Sequence, residues 1–93
     1  MKLKAELKQR ELQAWTAAIR DEKPEDVTAV GSLPLPEFYG VTVRAAIRAG
    51  WFDGVESKDA ATVEGDLTYR ECKKHADAVW KLYNSLTADD PNS

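Results

Sequence analysis

Cys72 and His75 are the residues best equipped for chemistry. They are the only cysteine and the only histidine of the chain, and Glu71 stands directly before the cysteine. A thiol and an imidazole one helical turn apart can touch, which is the first requirement of a base-activated nucleophile. The surrounding pattern opposes that use. Both residues fall on or beside an apolar helical stripe, so the reading favoured here is a boundary histidine flanking a buried thiol. One cysteine and one histidine cannot close a tetrahedral zinc site, and a single thiol forms no disulfide within the chain.

The carboxylates Asp53, Glu56, Asp59, Glu64 and Asp66 gather in one stretch. An acid/base pair would need a pocket that drives two pKa values apart. A calcium loop would need alternating oxygen ligands around a central glycine and a closing glutamate, and that spacing is absent. The stretch reads as a solvated acidic loop. The segment Gly50-Trp51-Phe52-Asp53-Gly54 places bulky aromatics where a phosphate cradle requires bare backbone, and no Lys-Ser/Thr follows it. Arg44 and Arg48, with Arg70, Lys73, Lys74 and Lys81, could make a basic patch that presents a helix to a DNA groove. The net charge of −3, with both signs interspersed, gives no general attraction to nucleic acid. A mixed-charge solvent face is the simpler reading, with a small nucleic-acid-binding module as the alternative.

These residues need elements to hold them. A chain of 93 residues forms one hydrophobic core, and 43% apolar with 31% charged residues suits a soluble domain. No apolar run reaches the ~20 residues of a spanning helix, and none follows the basic start as a secretory signal would. The expectation is a cytoplasmic protein without a membrane segment.

Residues 2–22 are helix formers throughout, without Gly or Pro. Ala5, Leu12, Trp15 and Ile19 make an apolar side that Leu3, Leu7, Ala14 and Ala18 extend, and Glu6–Arg10 is a favourable i, i+4 pair. The composition predicts one helix of about 18–20 residues, better anchored in its second half. Pro24 stops it. Residues 24–36 form a connector in which Pro24-Glu-Asp-Val can open one turn. Leu33-Pro34-Leu35-Pro36 then takes an extended path, with both leucines laid across the core. Pro36 suits the first turn of a following helix.

The second helix is predicted over 37–49. Val41, Thr42 and Val43 also suit a strand over 38–43, but Arg44-Ala-Ala-Ile-Arg-Ala is strongly helical. Gly50 is an apt left-handed terminator, with Trp51 and Phe52 able to fold back on the last turn. Asp53-Gly54 makes a turn. Within 55–66 the sequence allows a helical turn or two over residues 57–63, ended by Gly65. Thr68 and Glu71 have capping-box spacing before Tyr69, Cys72, Ala76, Val79, Tyr83 and Leu86, a stripe widened by Trp80 and Leu82. That last helix should end near Leu86, leaving 87–93 as a polar, disordered tail. Trp15, Trp51 and Trp80 fall one to each helix and suit a shared core. Trp51 with Phe52 could equally form an exposed docking corner.

Val43-Arg-Ala-Ala-Ile-Arg-Ala-Gly-Trp-Phe52, followed by Leu67-Thr-Tyr-Arg-Glu71 and continuing to Leu82-Tyr83, resembles small tail assembly proteins of phages and prophages, of the tail-chaperone kind. The likeness spans residues 41–86. It departs at Tyr69, where those proteins have proline after Leu-Thr, and in the charged first helix. It carries no catalytic signature. It implies a non-enzymatic role, holding an aggregation-prone partner during virion assembly.

The expected fold is all-α: three to four helices in a single domain over 1–86, with a proline-rich connector between the first two. The expected function is protein binding without catalysis, cofactor or metal. The docking residues are sought among Trp51, Phe52, Leu33, Leu35, Arg44 and Arg48.

Overall fold

Leu3 faces Phe52, and Lys2 faces Asp53, in a short antiparallel pairing that the composition of the N-terminal segment does not announce. The computed structural model describes residues 1–22 and 31–88. In order they form β1 (Lys2–Leu3), α1 (Gln9–Glu22), α2 (Leu35–Arg48), β2 (Phe52–Asp53), a 3-10 turn (Ser57–Asp59), α3 (Ala60–Asp66) and α4 (Tyr69–Thr87). The fold is all-α apart from the two-residue strands. The expected turn at Pro24 and most of the expected polar tail lie outside the described residues.

The first helix therefore starts at Gln9, not near Lys2, and Glu6 is not part of it. Two effects override the helix-forming composition. Leu3 and Leu7 reach the core, partly buried, only if the arm folds back. Glu11 also fixes the helix start: its carboxylate accepts a hydrogen bond from the Lys8 backbone N–H at 2.7 Å. That is half of a capping box, with the acid in the first turn where the helix dipole favours it. Trp15, Ala18 and Ile19 bury the inner face of α1, while Ala5 and Ala14, assigned to the apolar side, are exposed.

Helix α2 is the centre of the molecule, in contact with α1, α3 and α4. Pro34 precedes it in polyproline geometry (φ −54°, ψ 146°), and Pro36 occupies its first turn as expected. Tyr39 to Val43 and Ala45 to Ile47 are all buried. The β-branched run is thus helical because neighbours cover it on several sides, which local propensity cannot foresee.

The end of α2 follows the sequence closely. Gly50 has φ +81°. Its N–H donates to Ile47 O at 3.1 Å, and the Trp51 N–H donates to Ala46 O at 3.0 Å. These are the two bonds of a Schellman motif. They turn the chain so that Trp51 and Phe52 fold inward, with the Trp51 indole N–H donating to Glu11 O at 2.7 Å.

Gly65 lies inside α3 rather than ending it. Helix α4 starts with both bonds of the Thr68–Glu71 capping box and ends one residue beyond Leu86. Cys72, Ala76 and Val79 form its buried stripe. The stripe's ends, Tyr69 and Leu86, are exposed. No helix among the described residues is long and apolar enough to cross a membrane.

Candidate functional site

The three tryptophans converge. Trp15 lies with its ring 5.0 Å from Trp51, 5.0 Å from Trp80 and 4.9 Å from Tyr83, and Phe38 stacks on Trp80 at 5.8 Å. Thr42, fully buried, completes the polar side of this cluster. Its hydroxyl donates to Phe38 O at 2.8 Å and accepts from the Trp80 indole at 3.0 Å, and its carbonyl accepts from Trp15 at 3.4 Å. The rings thus bury a large apolar area with their N–H groups satisfied. Trp51 and Phe52 are 0% and 4% exposed, so the exposed docking corner that the sequence allowed is instead core.

The nucleophile reading fails on the same ground. Cys72 is buried. Burial, reinforced by the nearby Glu64 charge and only partly offset by Arg44, raises its pKa above the ordinary 9.0, favouring the unreactive thiol. No hydrogen bond joins it to His75 among the described residues.

His75 instead sets its ring against the Phe52 edge, centroids 5.5 Å apart at 90°. Burial, aided by the Met1 amine and Lys74 and opposed by Glu71, lowers its pKa from 6.5. The sign follows directly. The unfolded chain takes up the proton first, so stability is complete above pH 6.5 and falls as the pH drops through that value toward the lower folded pKa. A series of urea midpoints should show this decline in mildly acid solution, and His75→Phe should flatten it. The effects of Glu11 and Glu71, whose hydrogen bonds lower their pKa values, begin only below about 4.5.

Arg44 and Arg48 are paired with acids within the fold. Arg44 lies between α1 and α3, with Nη2 2.5 Å from Glu22 Oε1 and Nη1 bonded to Glu64 Oε1. Burial would lower its pKa, but the two carboxylates outweigh burial and raise it. Arg48 pairs with Asp21 at 3.1 Å on the surface, and Lys73 pairs with Asp77. The proposed basic face is therefore interrupted by acids.

Glu64 corrects the solvated-loop reading of the acidic stretch, since its side chain is largely covered. The other four carboxylates are exposed and do not converge. Gly40 leaves room beside the Arg44–Glu64 contact, which a Cβ would crowd at 3.0 Å from Glu64 Oε1 and 3.2 Å from Arg44 Nη1. Sequence reasoning missed this trio. The available signal was a glycine inside a helical pattern, which often marks a close approach.

Of the remaining candidates, Leu33 is partly buried against the core, whereas Leu35 is 57% exposed. Only one of the two connector leucines lies across the core, because Leu35 opens α2 on its outer side. Tyr69 is 50% exposed, and its ring meets that of Tyr39 at 5.8 Å. Leu35 is one turn before Tyr39 on α2.

An open groove of about 200 Å³ between α1 and α4 is lined by Gln9, Leu12, Gln13, Thr16, Tyr83 and Thr87. It brings together no acid, base or thiol. No group of three or more His, Cys, Asp or Glu among the described residues is placed to hold a metal. These features define a small all-α domain in which Cys72, His75, Arg44 and Glu64 are tied into its own packing. No protein-family model, curated protein or solved structure matches the chain.

Proposed function

We propose that this chain is a non-catalytic protein-interaction domain, acting as a holding or assembly factor of the kind found among phage tail chaperones. The observation that carries the reading is the exposure of Leu35, one helical turn before Tyr39, together with that of Tyr69, whose ring packs on Tyr39. A leucine at the first position of a helix, more than half in water, is available to a partner at no cost to the core. Tyr69, half exposed and packed on the buried Tyr39 ring, supplies the amphipathic aromatic surface common at interfaces. The sequence likeness over residues 41–86 supports the assembly role, and the pairing of Arg44 and Arg48 with acids weighs against phosphate binding.

The test is co-purification from the native host with wild-type protein and with the Leu35→Glu/Tyr69→Glu variant. A protein partner retained in high salt and lost with the variant supports the reading. Retention of the same partner by the variant would refute it. Recovery of nucleic acid that washes off steeply with salt would refute it in favour of phosphate-driven binding.

A further inference from the structure

The N-terminal arm is held to its own domain chiefly through residues 2–4, with Leu7 partly buried against the core further along. The Lys4 N–H donates to Trp51 O at 2.9 Å, Lys4 Nζ meets Glu11 at 2.7 Å, and Leu3 lies over the core beside Phe52. The hinge that lets the arm fold back is Ala5-Glu6-Leu7-Lys8. Those four residues are good helix formers, yet they are bent or irregular. Local helix preference in the hinge therefore competes with the packing of Leu7 and with the Glu11 bond to the Lys8 N–H, while the strand and its seat fit each other.

We infer that the arm exchanges between two copies of this chain, giving a two-fold dimer in which each β1 pairs with the β2 of its partner. Straightening the hinge into helix continues α1 backwards and carries β1 away from its own domain. Every contact of residues 2–4 is then remade in the other copy, because Glu11, Trp51, Phe52 and Asp53 lie together on the accepting domain. The exchange gives up the packing of Leu7 and the Lys8 N–H bond to Glu11, and gains helical hydrogen bonds over the hinge. The occupant of the vacated edge is specified by the structure itself: a Lys-Leu-Lys strand whose apolar middle residue faces Phe52 and whose second lysine reaches Glu11. Swapping of an identical element is a low-cost route to a closed dimer.

Lys2 and Asp53 provide the test, since they are directly opposed in the ladder and both exposed. The Lys2→Cys/Asp53→Cys protein, with Cys72→Ala to remove the native thiol, is equilibrated at low and high concentration and oxidised with oxidised glutathione. Exchange predicts a covalent dimer on non-reducing gels whose share rises with concentration. Inserting two glycines after Glu6 relaxes the hinge and should abolish that dimer in favour of the intrachain disulfide. An intrachain disulfide at every concentration overturns the proposal, as does a dimer unaffected by the inserted glycines. If circular dichroism shows the cysteine variant to be unfolded, concentrated wild-type protein mixed from isotope-labelled and unlabelled chains replaces it. Interchain Leu3–Phe52 contacts in its NMR spectra are then expected, and their absence overturns the exchange.

Discussion

Trp15→Ala is expected to lower the unfolding free energy by about 3–5 kcal/mol, the cost of removing a large aromatic side chain from a packed interior. Trp15 is fully buried and is the one ring that touches Trp51, Trp80 and Tyr83 together. Its loss leaves a void bordered by Trp51, just past α2, and by Trp80 and Tyr83 on α4, which cannot all collapse inward. It also leaves the Thr42 carbonyl without the indole donor. Against the 5–15 kcal/mol of a typical domain, this places the variant near the edge of folding. Trp15→Phe should cost less, because it keeps part of the volume. Urea titrations followed by far-ultraviolet circular dichroism measure both. A Trp15→Ala midpoint close to wild type would contradict the central place given to this ring.

Arg44→Met is expected to cost about 2 kcal/mol, less than the loss of one partner from a fully buried ion pair. The three side chains, Arg44, Glu22 and Glu64, remain 18–27% exposed, so water moderates the effect. Without the guanidinium, two carboxylates lose their shared partner. Glu22 already has one buried oxygen that finds no donor among the described residues. Adding Glu22→Gln and Glu64→Gln to Arg44→Met should recover much of the loss, since a buried charge group replaced as a whole is often nearly neutral. The same titrations decide the matter. Equal midpoints for the single and triple variants would mean that the charges, once unpaired, impose no penalty.

The parts of the fold legible in the sequence are those specified by near neighbours. The Thr68–Glu71 cap and the Gly50–Trp51 termination each need only a few adjacent residues, and both occur as read. The N-terminal arm was misread because its structure depends on Phe52 and Asp53, far along the chain, which override a uniformly helical composition. Leu33 and Leu35 looked equivalent in the Leu-Pro alternation. Only the start of α2 decides which of them turns inward. Glu64 looked solvated among its acidic neighbours, and its role appears once α3 packs on α2 and sets it against Arg44. For the candidate site, spacing correctly set Cys72 and His75 against the packing face. It left Trp51 and Phe52 open because an aromatic pair after a helix has the same local pattern whether it folds onto a core or faces a partner.

The near-complete enclosure of α2 bears on the chain while it is being made. Residues 38–52 leave the ribosome after α1 but before α4, so one side of α2 has its cover while the side meant for Cys72, Ala76 and Val79 waits in water. During that interval the stretch is the most self-associating part of the molecule. Arg44 and Arg48 are the only charged residues within it before Asp53. Charges inside an apolar stretch oppose its self-association, so these two are expected to matter most until the last helix arrives.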